Sequence, residues 1–144
     1  MNKRKKINFI CIGGQRCGKN TMYTWLEEHP EVCTSHEMEL NFFTHRWNRG
    51  FYWYESHFEI KNKQNILGEM SASYLYDNEA PRRVKKYSKN MKIIISLRDP
   101  VSRMMSAFKH SIKVGHVNPH SLDIDEAIKN NPTLFEYSKY SKYL

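Results

Sequence analysis

A short apolar run, residues 9–12, breaks into a glycine-bearing cationic loop, and that loop opens directly into a helix-forming stretch stopped by Pro30. This order is how a parallel α/β sheet builds a cradle for phosphate. Backbone N–H groups of the turn and of the helix start point at the anion, and the helix dipole adds partial positive charge. The spacing Gly13-x-x-x-x-Gly18-Lys19 nearly completes a phosphate loop of the Walker type, but Asn20 stands where Ser or Thr should hold Mg²⁺. The chain is therefore suited to a phosphate-bearing ligand, and the missing hydroxyl argues against an ordinary metal-dependent nucleotide hydrolase.

Residues 8–12 predict a buried parallel strand and residues 20–29 the helix after it, with Met22, Trp25 and Leu26 forming an i, i+3, i+4 apolar stripe. Residues 32–34 predict a short second strand, followed by a polar, acidic segment that ends in Phe42 and Phe43. Residues 50–58 predict an aromatic helix whose Trp53, Tyr54, His57 and Phe58 share a face suited to core packing. A turn at 62–65, a strand at 66–69 and a basic helix at 81–87 follow. Residues 92–97, KIIISL, are β-branched and continuously apolar, which predicts a central strand covered on both faces. Arg98, Asp99 and Pro100 close it, and Pro100 suits the start of a helix reaching about Lys113. On that helix Val101, Met104, Met105, Phe108 and Ile112 share one face, and Arg103, Ser106 and His110 the opposite one. A loop at 115–120, a short helix at 123–129 and a further helix from Leu134 complete the chain.

Alternation of short strands with helices gives an α/β class with a central, mostly parallel sheet flanked by helices. Ligands of such sheets sit at the carboxyl ends of strands. Residues 13–18 and 98–100 both lie at such ends and are expected to converge on one molecule.

At 144 residues the chain reads as one domain, 1–144, with a sizeable core. A formal net charge of +8 favours acidic ligands. The basic residues are dispersed and no recognition helix or RNA-binding signature is present, so a nucleic-acid partner is not expected. Cys11, Cys17 and Cys33 are odd in number and lack paired spacing. Together with the absence of a leader-like apolar segment, they predict a reduced, cytoplasmic compartment and no membrane span. The histidines show no ligand spacing with cysteines or acids, so no metal is expected.

Five stretches, in order, resemble the sulfotransferase family that uses 3′-phosphoadenosine 5′-phosphosulfate (PAPS), in its heparan-sulfate and bacterial carbohydrate branch. GGQRCGKNTMYTWLEEHPEV is similar to the family's 5′-phosphosulfate loop, helix and H-P-x-V. EMELNFF resembles K-E-x-x-F-F, RGFYWY resembles K-G-x-x-W-Y, and GEMSASYL resembles G-E-x-S-P-x-Y-L. IIISLRDPVSRMMSAFKH resembles the 3′-phosphate segment L-R-D-P-x-x-R-x-x-S. The closing SKYSKYL resembles the start of a G-x-Y-x-x-x-L-x-x-W helix, so the chain is expected to lack the family's C-terminal portion.

The resemblance implies a P-loop nucleotide-hydrolase-like fold. It also implies PAPS as donor, 3′-phosphoadenosine 5′-phosphate (PAP) as product, no metal, and a small-molecule or glycan acceptor carrying a hydroxyl or amine. It assigns Gln15, Arg16, Cys17, Gly18, Lys19, Asn20 and Thr21 to the donor's phosphosulfate, and Arg98 and Ser106 to its 3′-phosphate. Glu39, three residues before Phe42, falls at the general-base position, with Glu37 and His36 as fallback candidates. Arg16 stands where the family usually has a lysine against the transferring sulfate; it can clamp electrostatically but cannot serve as an acid. Lys19 and Asn20 replace a pair of hydroxyl residues, and Lys19 either takes over the sulfate contact or lies in solvent. Met70 occupies a position where heparan-sulfate enzymes often carry a substrate-contacting lysine. The other readings are a P-loop nucleotide kinase and a non-catalytic nucleotide-binding fragment.

Overall fold

The computed structural model describes residues 6–61, 63–117 and 123–143. Parts of the turn expected at 62–65 and the loop at 115–120 lie outside them. Two compact units emerge, one built from residues up to Gly13 together with Gly18–Ser96, the other from Gly14–Cys17 and the chain from Leu97 onward.

The first unit holds four strands, β1 (Phe9–Gly13), β2 (Val32–Thr34), β3 (Ile66–Met70) and β4 (Lys92–Ser96). They form one sheet in the order β2-β3-β1-β4, and every pairing is parallel. Helices α1 (Lys19–Glu27), α2 (Gly50–Glu55) and α3 (Ala80–Tyr87) lie in the connections. Parallel strands cannot be joined by tight hairpins, which is why each step along this sheet needs such a crossover.

The interior positions belong to β3 and β1, not to the isoleucine-rich β4. β1 hydrogen-bonds to β3 on one side and β4 on the other, and Phe9, Ile10 and Cys11 are buried. β4 is an edge among the described residues, with Ile93 54% and Ile95 47% exposed. A continuous apolar run tells how much a strand gains from cover on both faces. It does not set how many neighbours the crossovers give it.

The core of this unit is aromatic. Phe42, Phe43, Tyr54, Tyr74 and Tyr87 are buried together, and Phe42 stacks on Tyr54 with centroids 4.3 Å apart and planes 7° from parallel. Burying such a side chain is worth roughly 1.5–3 kcal/mol, and a well-placed aromatic pair adds about 0.5–1.5 kcal/mol. Tyr54 and Phe58 join this core as their shared face predicts. The stripe expected on α1 is narrower than its spacing suggests, because Trp25 is 69% exposed while Met22 and Leu26 are half-buried.

The second unit is helical, with α4 (Pro100–Lys113), α5 (Ile124–Asn130) and α6 (Thr133–Glu136). Its buried face on α4 differs from the expected stripe: Val101 is 63% exposed and Met105 is also exposed, whereas Arg103, Ala107, Phe108 and Ser111 are buried. The reason lies in the partners. Ala107 and Phe108 pack against Ala127 of α5 and Leu134 of α6, and Arg103 is drawn in after them. The Arg103 guanidinium donates to the Leu134 carbonyl and, from Nε, to Ser138 Oγ at 2.5 Å. The helix expected from Leu134 is broken, α6 ending at Glu136 with a separate 3-10 turn at Tyr140–Lys142.

Asp99 caps α4 by accepting from the Ser102 N–H at 2.8 Å, and Pro100 fills the first helical position. The Ser102 hydrogen bonds hold the Asp99 carboxyl below its ordinary value of 3.8. Its folded value is depressed, so the capping contribution is present above that pH and fades as pH falls through the folded value. Asp99→Ala is expected to lower the urea midpoint at neutral pH, and Asp99→Asn, which keeps an acceptor oxygen, to restore most of it. Equal midpoints for Asp99→Ala and the native chain would show that the cap is not used.

Candidate active site

In the first unit the ends of β1 and β4 lie side by side, Gly13 opposite Ser96. The backbones approach so closely that a Cβ on Gly13 would sit 2.1 Å from the Ser96 carbonyl oxygen, and Gly13 holds φ +149°. The chain leaves both strands at this end of the sheet, as the sequence predicts for 13–18 and 98–100.

Gly18 begins α1 in the left-handed region, φ 85°, and no side chain caps the helix or places an acid in its first turn. That is the electrostatic profile of an anion-binding helix start. Asn20 and Thr21 are exposed there. Lys19 is not in solvent. It is 5% exposed, and its Nζ lies 3.7 Å from Glu39 Oε1.

Glu39 is tied down at both ends of the residue. Its N–H donates to the Met70 carbonyl at 2.8 Å, and its Oε2 accepts from the Ala72 N–H at 2.7 Å. The residue has φ 58°, a left-handed conformation uncommon for a side chain of this size. Its carboxylate stays partly exposed while the backbone is fixed, so it is a positioned acid and not a loose loop charge. His36 and Glu37, the fallback candidates, are exposed.

Beside Glu39 the structure places a carboxylate that the sequence reading assigned no role. Glu69, on β3, is fully buried. Burial pushes its carboxyl up to about 7; hydrogen bonds from Ser71, Tyr74 and Tyr54 work against that rise, and the charge of Glu39 adds to it. The available signal was an acid inside an otherwise apolar strand, a position that must be partnered. Cys11, on β1, is buried too. Desolvation raises its thiol to about 11 despite Lys19 nearby, so it is a packing group and not a nucleophile.

In the second unit Arg16, with φ 66°, donates from Nε to Ser106 Oγ at 3.3 Å. Residues 90 apart in the chain, expected to serve the two phosphate ends of one ligand, thus touch. Arg98 is exposed, and among the described residues no ion pair joins it to Asp99, whose carboxylate is engaged in capping. Gln15 is exposed and Cys17 buried, the Cys17 Sγ lying 3.5 Å from the Tyr140 hydroxyl. Burial and the Cys17 hydrogen bond raise the Tyr140 phenol to about 12. Arg16 and Ser106 therefore present a guanidinium and a hydroxyl together, a pair that suits phosphate oxygens, and Arg98 is a second, exposed guanidinium of the same unit.

A family model described as the sulfotransferase domain matches residues 6–142. The chain belongs to that family. Its sequence is 33% identical over 110 residues to a membrane-associated sulfotransferase of Dictyostelium discoideum, covering 74% of this chain and 23% of that protein. It is 32% identical over 103 residues to a mouse heparan sulfate glucosamine 3-O-sulfotransferase, covering 72% of this chain and 26% of the relative. A human bifunctional heparan sulfate N-deacetylase/N-sulfotransferase is 31% identical over 122 residues, 79% of this chain and 14% of the relative. The sulfotransferase domain described here thus spans about a quarter or less of these curated relatives. The crystal structure of a sulfotransferase from Alicyclobacillus acidocaldarius superposes with a TM-score of 0.81 at 23% identity, covering 96% of this chain and 65% of that one. That likeness establishes the α/β sulfotransferase fold with its all-parallel sheet. No helix among the described residues is long and apolar enough to cross a membrane.

Proposed function

We propose that this sulfotransferase domain takes the sulfuryl group of PAPS to a hydroxyl or amine of an acceptor, most readily a carbohydrate, and leaves PAP. The observation that carries the reading is the Arg16 Nε to Ser106 Oγ contact of 3.3 Å, which joins residues from the two phosphate-binding stretches. The carbohydrate acceptor is supported by the heparan sulfate sulfotransferases among the relatives.

When bound, the donor supplies an electrophilic sulfur and a phosphate leaving group. Arg98 and Ser106 hold the 3′-phosphate, and Arg16 clamps negative charge building on the sulfate and the departing oxygen. Glu39 takes the proton of the acceptor hydroxyl or amine as it attacks. Lys19, set against Glu39, supplies a second positive charge for the sulfate, the role the sequence left open. An anion drawing Lys19 toward itself would also release the Glu39 carboxylate to act as base.

The test is transfer of label from radiosulfate-bearing PAPS to a panel of glycans, phenols and amines by the full polypeptide that carries this domain. Transfer to a glycan supports the reading; PAP binding without transfer to any acceptor favours a non-catalytic nucleotide-binding role. Removing one charged contact to phosphate is worth about 1.5–3 kcal/mol. Arg98→Ala is therefore expected to weaken PAP roughly 10- to 100-fold in calorimetry. Ser106→Ala should weaken it less, and the affinity for 5′-AMP, which lacks the 3′-phosphate, should be unchanged in both. Equal losses for PAP and AMP would remove Arg98 and Ser106 from the 3′-phosphate.

A further inference from the structure

Among the described residues, the buried Glu69 carboxylate is the charged group of the first unit's interior that the proposed chemistry does not use. Its surroundings have a direction. Ser71 Oγ donates to Glu69 Oε2 at 2.7 Å, and the Tyr74 hydroxyl donates to Oε1. Tyr54 adds a longer contact to Oε1 at 3.4 Å. Each of the first two hydroxyls also accepts from backbone. Ser71 Oγ takes the Asn41 N–H at 2.9 Å, and the Tyr74 oxygen takes the N–H groups of Phe42 at 2.8 Å and Phe43 at 3.4 Å.

A hydroxyl has a single proton. Because Ser71 and Tyr74 receive backbone N–H groups on their oxygens, their protons are sent toward Glu69, which must accept on both oxygens. The ionised carboxylate does that with both oxygens, whereas protonation adds a donor for which neither hydroxyl has been left as acceptor. The backbone groups so held belong to the turn that carries Glu39. That turn is in an unfavourable conformation, with Glu39 at φ 58° and Asn41 at φ 51°. It is pinned further by the Asn41 side chain, which donates to the Glu39 carbonyl at 2.7 Å and accepts from Ser73 Oγ at 2.6 Å. Left-handed residues of this kind persist only where the surroundings over-determine them.

We propose that Glu69 is the positioning residue for Glu39: through Ser71 and Tyr74 its carboxylate orders the backbone N–H groups of residues 41–43 and fixes the turn from which Glu39 reaches the acceptor. This rests on the reading of Glu39 as base. The groups facing Glu69 are Tyr54 from α2, Tyr74 and Ser71 after β3, Glu39 from the turn and Cys11 from β1, with Lys19 of α1 3.7 Å from the Glu39 carboxylate. Protonating Glu69, whose carboxyl lies at about 7, would turn an acceptor into a donor and break one of the two relays.

Glu69→Gln keeps the volume and makes the same exchange permanently. A base displaced by about an ångström loses on the order of 100-fold. In the full polypeptide kcat is therefore expected to fall roughly 10- to 100-fold with KM for PAPS unchanged. The acid limb of the kcat profile should lose its step near pH 7, a change that mere loosening of the fold does not produce. Amide exchange at Asn41 and Phe42 should quicken while the β1 amides keep their protection. A kcat within about twofold of the native enzyme, an unaltered acid limb, or unaltered exchange at Asn41 and Phe42 would each overturn the assignment. If Glu69→Gln does not fold, Ser71→Ala applies the same test, with quickened exchange expected at Asn41 alone. The exchange readout needs no turnover, so absence of transfer in the native polypeptide would reject the proposed function and leave the role of Glu69 to be decided by exchange.

Discussion

Glu39→Gln is expected to reduce kcat on the order of 10²- to 10⁴-fold, with PAP affinity little changed. The substitution keeps size and one acceptor oxygen, so the hydrogen bond from the Ala72 N–H, now 2.7 Å to Oε2, can survive. What it removes is the capacity to take a proton. The partner also matters: Lys19 Nζ, 3.7 Å from Oε1, loses its counter-charge but keeps its place in a buried setting. A fall in kcat with KM for the donor preserved marks an interaction made only as the acceptor attacks. Steady-state transfer assays and PAP calorimetry on the same preparation decide it. A Glu39→Gln enzyme that turns over like the native one would take the base role away from Glu39.

Gly13→Ala is expected to cost roughly 4 kcal/mol or more of stability, at the upper end of single substitutions. Two penalties coincide. The residue sits at φ +149°, which an L side chain rarely adopts, and the new methyl would lie 2.1 Å from the Ser96 carbonyl oxygen. Relief requires β1 and β4 to part at the last rung of their ladder, Gly13 opposite Ser96. Gly18 is the control. It too has positive φ, 85°, but none of the described residues places an atom within 4 Å of a Cβ built there. Gly18→Ala should therefore cost only about 1–2 kcal/mol, the conformational penalty alone. Urea unfolding of the two variants separates the effects, and a Gly13→Ala chain as stable as Gly18→Ala would show that the two strand ends are not in close contact.

Much of the first unit was legible because its elements announce themselves locally. The strand, glycine loop and helix start of β1 and α1 follow from apolar patterning and from Pro30, and 32–34 was placed to the residue. The candidate site was legible as a set of residue types along the chain, since the stretches that carry Arg16, Glu39, Arg98 and Ser106 resemble a family's order. The direction of each side chain was not. Lys19 could be read as a sulfate contact or as a solvated charge, and only packing turned it toward Glu39. Arg103 reads as the polar side of α4, yet it is buried because the Leu134 carbonyl and Ser138 offer it partners 31 and 35 residues away.

The amino-acid order determined the class of fold, the glycine-bearing loop between β1 and α1, and the candidate site residues, since these depend on local periodicity, on glycine and proline conformations, and on motif spacing. Which strands are interior, which face of α4 is buried, and how Glu69 meets the turn of Glu39 were decided in three dimensions. Strand order and hydrogen-bond partnership depend on where crossovers return the chain, and no short window of sequence carries that information. A buried carboxylate such as Glu69 makes the difference concrete. Its presence in an apolar strand, with hydroxyls two and five residues on at Ser71 and Tyr74, can be read from the chain, but that those hydroxyls also receive the N–H groups of residues 41–43, about 30 residues away, was decided by the fold.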